Sequence, residues 1–326
     1  MEAPYSLRRQ AFMLLSRAFY RLESMLLPRT LAGLSYNRPR RIRVPTYDGS
    51  SQAVHPDILS PEQADGAYLL AFTPYPFTNE VFENPSVAIS RDGMRFHEER
   101  RGLNPLVPAP GIDHNDDPDV LRVDGVYNLV YLETLRPQAQ HLVLLQSRDR
   151  LQWSRQTLLR YELTGPSPDP FIVSPALVAD SGRLRLFYVN TSRQPHRIEY
   201  LESRHVTAWD SRDAHVAAFD RLAVNPWHVD VLAGDDGWYM LITDVRGEGP
   251  RLDYDLYIAR SRDLEHWEMG ARKVFARMPF GSRLIYRSTA LCREGDIYVY
   301  FSAKSRFGEW KIGVVRKSTA ELFRHD

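Results

Sequence analysis

Cysteine is nearly absent from this chain of 326 residues, in which Cys292 is the only one. A single thiol excludes an internal disulfide framework and a cysteine-rich zinc site. Long apolar runs are also lacking, and none approaches the roughly 20 residues that span a bilayer. The formal net charge is only +1. This balance argues against a dedicated nucleic-acid binder, which usually carries a strongly basic face.

Several catalytic signatures are missing as well. The chain has no glycine-rich phosphate loop with a lysine and no Gly-x-Ser-x-Gly elbow. Its histidines lack the close spacing of metal ligands, so we expect no catalytic zinc. Arg17 and Arg21 interrupt the first apolar stretch, and no small-residue cleavage site follows it. We therefore expect no secretory signal and a cytoplasmic location.

The chain does contain a repeat. The motif Ser-Arg-Asp-x-x-x-aromatic occupies residues 90–96, 147–153 and 261–267, and looser copies occupy 203–209 and 317–323. The closing aromatics are therefore spaced by 57, 56, 58 and 56 residues. Such a regular period indicates five copies of one structural unit.

Each unit holds three runs typical of strands, and turns such as Asp124-Gly125 separate the first two. With a fourth run after the aromatic, this pattern predicts an all-β fold, a five-bladed β-propeller of four-stranded antiparallel blades. A parallel β-solenoid is the main alternative, but its repeats are shorter and lack hairpins. The fifth unit ends without an outer strand. We predict that residues 41–45 complete blade five as its outermost strand, which removes an exposed edge.

The first 36 residues stand apart from the propeller, which we assign to residues 37–326. Apolar residues there fall near helical spacing: Leu7, Phe12, Leu15, Phe19, Leu22 and Leu26. We expect an amphipathic helix packed on the outside of the propeller. Dimerisation, or contact with an anionic membrane surface, is the alternative role of this extension.

The strands of a propeller blade run up and down, so the start of the inner strand and the loop between strands two and three share one face. The Ser-Arg-Asp turn lies on the opposite face and is interpreted as turn chemistry. The inner-strand starts differ from blade to blade: His55-Pro56-Asp57, Asp117-Pro118-Asp119, Ser174-Pro175-Ala176, His228-Val229-Asp230 and Ser288-Thr289-Ala290. A purely structural repeat would not need such differences. They predict a functional site.

Blade two is the richest in charge, because residues 114–119 carry three aspartates and a histidine. These groups would repel one another unless a cation, a sugar or a proton lay among them. Loops on the same face add further charged and aromatic residues. Aromatic faces that stack on sugars and charged groups that bind hydroxyls predict a carbohydrate site. Its candidate binding residues are His55, Asp57, Glu83, Asn84, Asp119, Asn190, Trp227, Asp244, Tyr286, Arg287 and Trp310.

These segments resemble a known family, the five-bladed propeller glycoside hydrolases of the arabinanase and β-xylosidase type (family 43). The resemblance covers roughly residues 40 to 326, and it is strongest to uncharacterised propellers found near bacterial polysaccharide genes. The segments that carry it are Asp117-Pro118-Asp119, Ser174-Pro175-Ala176, Pro226-Trp227-His228-Val229-Asp230 and Tyr286-Arg287-Ser288. It implies a carbohydrate substrate and no cofactor, although relatives often carry a structural Ca²⁺ in the channel.

The arabinanase type uses carboxylates from the first three blades, and blade three here offers Ser174 instead of the usual acid. The resemblance therefore implies a changed acid. We assign Asp117 as base or nucleophile and Glu133 as acid, with Asp230 and His228 positioning or tuning. His228 is an alternative acid, by analogy with the neoagarobiose-hydrolase type.

The expected function is hydrolysis of a glycosidic bond in an oligo- or polysaccharide. Two other functions stay open. One is a non-catalytic carbohydrate-binding propeller in a glycan assembly pathway, which the absent blade-three acid favours. The other is a protein-interaction scaffold, in which case side chains should plug the funnel.

Overall fold

The computed structural model describes residues 11, 13–15, 18, 21–23, 25–111, 113–247 and 252–324. Those described between 11 and 25 are helical. Leu15, Leu22 and Leu26 are largely exposed, so the expected burial of the apolar stripe is not seen for them. Leu7, Phe12 and Phe19 lie outside the described residues. In the described part of the chain, no helix has the length and apolarity needed to cross a membrane.

Five sheets form the five blades of a propeller, as the repeat predicts. Blade I contains β2 (Ala53–Leu59), β3 (Tyr68–Pro74) and β4 (Ser86–Ser90). Blade II contains β5 (His114–Val123), β6 (Val126–Leu135), β7 (Ala139–Ser147) and β8 (Ser154–Glu162). Blade III contains β9 (Ile172–Asp180), β10 (Arg183–Asn190), β11 (Arg197–Ser203) and β12 (His215–Val216).

Blade IV contains β14 (Pro226–Ala233), β15 (Trp238–Arg246), β16 (Asp253–Ser261) and β17 (His266–Met269), with β13 (Ala218–Phe219) added in parallel at its edge. Blade V contains β18 (Leu284–Arg293), β19 (Asp296–Lys304), β20 (Trp310–Ser318) and β1 (Arg40–Ile42). A short helix, Thr319–Phe323, follows β20, and single 3-10 turns occupy Leu31–Gly33, Pro76–Thr78, Glu80–Phe82 and Pro279–Gly281. Blade I differs from the predicted four strands. It has three strands, and a single bridge between Ile89 and His97 stands in place of the fourth.

The repeated Ser-Arg-Asp motif forms the turn between the third and fourth strands. In three copies the aspartate carboxylate accepts from the backbone N–H groups two and three residues later. These aspartates are Asp92, Asp149 and Asp263, with bonds of 2.8–2.9 Å. The motif therefore has a structural role, as expected from its face of the propeller.

Ring closure also follows the prediction. The strand β1 pairs antiparallel with β20, and Ile42 lies opposite Ile312. Ile42 and Val44 are buried in a core cluster with Tyr300 and Val314 of blade V and with Phe72 of blade I. The N-terminal strand thus joins the last blade to the first, which the sequence predicted within one residue of its start.

Each inner strand has an irregular start. Register shifts interrupt β2, β5, β9, β14 and β18 at that point. In the first three blades a residue with positive φ precedes a proline: His55 (φ 51), Asp117 (φ 50) and Ser174 (φ 58). A bulge re-aims the side chains around it. Here it brings polar side chains to the channel from strands that are otherwise apolar.

Carboxylates then join neighbouring inner strands. Asp57 accepts from the Val120 N–H at 2.5 Å, and Asp119 accepts from the Leu177 N–H at 2.8 Å. Asp117 accepts from the Ser174 N–H at 2.8 Å. These bonds cross from blade I to II and from blade II to III, so they fix the blades relative to one another around the channel.

Truncation of Ile42 tests the closing strand. We expect Ile42→Ala to lower the free energy of unfolding by about 2–4 kcal/mol, because it removes buried contacts between the first and last blades. Urea denaturation of the full chain measures the change. Arg40→Ala, an exposed position of the same strand, is the matched control and should change stability by less than about 0.5 kcal/mol. Equal effects of the two variants would contradict the assigned role of β1.

Candidate active site

Two layers of polar side chains line the channel. The upper layer contains His55, Asp117, His228 and Arg287, which come from blades I, II, IV and V. All four are at least 98% buried. The lower layer lies two residues further along the same strands and contains Asp57, Asp119, Asp230 and Thr289. The bulged strand starts of four blades therefore converge on one small volume.

Three ligand-type atoms of the upper layer face one another. The Nε2 atom of His55 and the Nδ1 atom of His228 each lie 3.4 Å from Oδ1 of Asp117. None of the three atoms has a hydrogen-bond partner among the residues that the structure describes. Two imidazoles and a carboxylate suit a divalent transition metal such as zinc, with further positions left for water or substrate. Unpaired buried polar atoms are costly in a protein, and a metal ion here would satisfy all three.

The protonation of this group fits a metal site. Burial lowers the pKa of His55 to about 3 and that of His228 to about 4, so both rings are neutral at pH 7. Burial alone would raise the pKa of Asp117, but His55, His228 and Arg287 hold it at about 2. Neutral imidazoles and an ionised carboxylate are the forms that bind metal ions.

The imidazole of His55 is oriented by its other nitrogen. Its Nδ1 atom lies 2.9 Å from the hydroxyl of Thr73, which leaves Nε2 directed at Asp117. Metal-bound histidines commonly have such a partner, which fixes the ring. Oε1 of Glu83 also lies 3.8 Å from this Nδ1 atom. Glu83 is almost fully buried, and burial together with Asp116 raises its pKa well above the usual range.

A charged cluster surrounds Glu83 at the mouth of the site. His114 lies 4.0 Å from Oε2 of Glu83 and shares a 3.0 Å hydrogen bond with Asp116. Burial opposes a charge on His114, but Asp116, Glu83 and Asp113 raise its pKa to about 10. Arg136 closes the cluster by bonding to Asp113 at 2.9 Å. A cationic imidazole therefore separates the carboxylates of blade I from those of blade II.

Arg287 is the cation of the channel. It has no solvent exposure, and its Nη2 atom donates to Asp119 at 3.2 Å and to the Pro175 carbonyl at 2.9 Å. Its Nη1 atom lies 3.6 Å from Asp117. Below it, burial raises the pKa of Asp57 and Asp119 and brings that of Asp230 to about 7. One guanidinium thus faces four carboxylates.

Aromatic side chains form one wall of the site. The ring of Tyr286 lies 4.2 Å from that of His228 and 5.3 Å from that of His55. Trp310 packs against Tyr286 at 5.2 Å, and the Nε1 atom of Trp227 lies 3.4 Å from the Tyr286 hydroxyl. The structure thus brings these three sequence-predicted aromatics to one side of the imidazoles.

The carboxylate of Glu133 lies outside the channel. Its carboxylate bonds to His141 at 2.9 Å and to Arg155 at 2.7 Å, and these residues belong to β7 and β8. The side chain therefore faces the outer strands of blade II, away from the channel and from Asp117. The geometry does not support the sequence-based assignment of Glu133 as the acid.

Three other predicted binding residues have partners outside the upper layer. Asn190 bonds to the Glu199 carboxylate, and the Asp244 carboxylate accepts from the Asn225 N–H and pairs with Arg246. The Asn84 amide bonds to the Tyr47 hydroxyl and to Asn115. These contacts order the loops around the site, and none of them involves an upper-layer side chain.

Sequence reasoning missed Thr73 and Tyr75, and it named no role for His114. Thr73 lies at the end of strand β3 and Tyr75 directly follows that strand, on the same face as the inner-strand starts, so position alone could have indicated them. The candidate metal-ligand group, which consists of His55, Asp117 and His228, was not predicted for another reason. Its members come from three blades and are 62 and 111 residues apart along the chain, so no short spacing marks them.

Comparisons with known proteins agree with this architecture. No protein-family model matches the sequence, and no curated protein is similar to it at a significant level. Among solved structures, an N-acetylgalactosamine deacetylase from F. plautii, in complex with blood group B trisaccharide, is 22% identical with a TM-score of 0.74. The match covers 89% of this chain and 97% of that one.

Arabinanases are also similar in structure. An exo-1,5-α-L-arabinanase from a bovine ruminal metagenomic library is 14% identical, with a TM-score of 0.58 over 82% of this chain and 92% of that one. The Cellvibrio cellulosa α-L-arabinanase is 12% identical, with a TM-score of 0.57 over 81% and 91%. At these identities the likeness shows the fold, which this chain shares with propellers that act on carbohydrates.

Metal titration tests the ligand group. We expect the chelator-treated full chain to bind one Co²⁺ ion with the visible absorption of a site that contains imidazole. His228→Ala should weaken binding on the order of 100-fold or more, because it removes a ligand, and Thr73→Val roughly 10- to 100-fold, because it frees the His55 ring. His141→Ala, which alters the Glu133 pair, is the control. Equal binding by all variants would exclude this site.

Proposed function

We propose that this protein is a divalent-metal hydrolase that removes an acyl group from an amino sugar of an oligo- or polysaccharide. The observation that carries the proposal is the convergence of unpaired His55 Nε2, Asp117 Oδ1 and His228 Nδ1 in a buried channel. The structural similarity to an N-acetylgalactosamine deacetylase supports the same reaction class. The expectation of no metal came from spacing along the chain, which does not reflect how the propeller brings blades together.

His55, Asp117 and His228 would hold the ion. When bound, a divalent ion polarises a carbonyl oxygen and lowers the pKa of a water molecule. Arg287 keeps Asp117 ionised and fixed, and Thr73 sets the orientation of His55. These residues preorganise the site before substrate arrives.

Glu83 is the proton-transfer group in this proposal. Its carboxyl lies on the Nδ1 side of the His55 ring and contacts the cationic His114. In the proposed reaction Glu83 starts with its proton, which it donates to the departing nitrogen of the amino sugar, and it takes up the proton released by the attacking water. The amide C–N bond breaks, and the products are a free amine and a carboxylic acid.

Glycosidic cleavage is a second candidate. It is favoured by the opposite pKa shifts of two carboxyl groups on either side of His55, raised for Glu83 and lowered for Asp117. Such a pair can act as acid and base. Two observations weigh against it. The Ser174 hydroxyl, at the position of the usual blade-three acid, is bonded to the backbone of Val229. Glu133, the expected replacement, faces the outer strands.

Product analysis decides between the two reactions. We expect the full chain to release acetate from N-acetylated oligosaccharides, to stop when a chelator removes the metal, and to recover on addition of Zn²⁺. Glu83→Gln should lower kcat about 10²- to 10⁴-fold, because it removes proton transfer. Glu133→Gln is the matched control, and we expect it to retain most of the activity.

Other outcomes contradict the proposal. New reducing ends formed in the presence of chelator would establish a glycosidase. Sugar binding without release of either product would favour the non-catalytic binding propeller. The cytoplasmic location and the role of the N-terminal extension in dimerisation or membrane contact stay predictions.

A further inference from the structure

A cavity lies beside the candidate metal-ligand group, on the same face. Its volume is about 560 Å³, and it lies among the loops of blades I, IV and V. Tyr286 connects the two sites, because its ring contacts both His55 and His228 and also lines this cavity. A substrate bound at the imidazoles would therefore extend into the cavity across Tyr286.

The cavity has an aromatic wall. Trp310 stacks on Tyr75 at 5.6 Å and contacts Tyr286 at 5.2 Å, and Tyr254 packs on the other edge of Tyr286 at 5.9 Å. A set of neighbouring aromatic rings at the end of a polar site is suited to the apolar faces of a sugar ring.

The far end of the cavity is cationic. Arg283, Lys304 and Arg306 line it, and none of its described lining residues is a carboxylate. The Nζ atom of Lys304 lies 5.2 Å from the Trp310 ring, and no ion pair involving Lys304 occurs among the described residues. Burial and the nearby Arg283 lower the pKa of Lys304. The cationic end of the cavity can orient a bound ligand that carries a negative charge at one end.

We infer that the natural substrate is an anionic polysaccharide, in which the sugar next to the acylated amino sugar carries a negative group that binds at Lys304. This inference rests on the proposed function for the identity of the reacting unit. A ring carboxylate, as in a uronic acid, and a sulfate ester share the required chemistry. The neutral amino sugar lies at the imidazoles, and the charged unit stacks on Trp310 with its anion at the ammonium.

Binding measurements test the inference separately from catalysis. The full chain carrying Glu83→Gln, which suppresses turnover in the proposed reaction, is titrated calorimetrically with three tetrasaccharides. These are a neutral N-acetylglucosamine tetramer, its 6-sulfated form, and an alternating N-acetylglucosamine–glucuronic acid tetramer. We expect at least one charged tetramer to bind about 10-fold more tightly than the neutral one at low salt. The preference should shrink in 0.5 M salt, because ions screen the attraction.

Lys304 variants then locate the charge contact. In the same background, Lys304→Met keeps an aliphatic chain over Trp310 but removes the charge, and we expect it to abolish most of the preference without changing the affinity for the neutral tetramer. Lys304→Arg should preserve the preference. The melting temperature of each variant checks that the fold is intact.

Several results would overturn the inference. These are equal binding of neutral and charged tetramers, no binding of either charged tetramer, or an equal loss of affinity for all three in Lys304→Met. The comparison of uronate with sulfate identifies which anion is preferred. If Lys304-dependent binding is found but the wild type releases no acetate with Zn²⁺, the proposed reaction fails while the anionic site stands.

Discussion

The channel depends on one buried ion, the guanidinium of Arg287. Asp117 and Asp119 approach it directly, and Asp57 and Asp230 lie just below. Burying several carboxylates together is unfavourable unless cations or protons compensate them. Arg287 therefore lets Asp117 stay ionised at full burial, while the lower carboxylates can hold protons and still accept backbone N–H groups. The hydrogen bonds that join neighbouring blades and the ionised form of Asp117 therefore both depend on Arg287.

The repeat explains how such a site can arise on a symmetrical scaffold. Every blade places its inner-strand start at the same height in the channel, and a bulge there turns side chains inward. The residue at the inner-strand start can therefore differ from blade to blade while the strands themselves stay the same. His55, Asp117 and His228 would supply the ligands of the proposed metal site, whereas Ser174 at the equivalent place bonds to the backbone of Val229. Some blades thus place candidate functional side chains at this position, whereas blade III uses it for a structural hydrogen bond.

The fold could be predicted from the sequence because the aromatic period and the turn motif are local signals. The candidate site was predicted only in part. Position in the repeat indicated Asp117, His228 and Arg287, since each begins an inner strand. The place of Glu133 at a strand end gives its height in the blade but not the direction of its side chain, which contacts His141 and Arg155. Position in the repeat also put His55 and His228 on one face, but it could not give the distance between their rings and Asp117.

Ring closure also has a consequence for how the protein is made. Ile42 and Ile312, which face each other in blade V, are 270 positions apart. Ribosomes add about 5–20 residues per second, so the segment around Ile42 waits roughly tens of seconds for its partner. Blades II to IV can form during that time, but the joint between the last and first blades cannot. The nascent chain is therefore an open arc, and only the synthesis of β20 turns it into a ring.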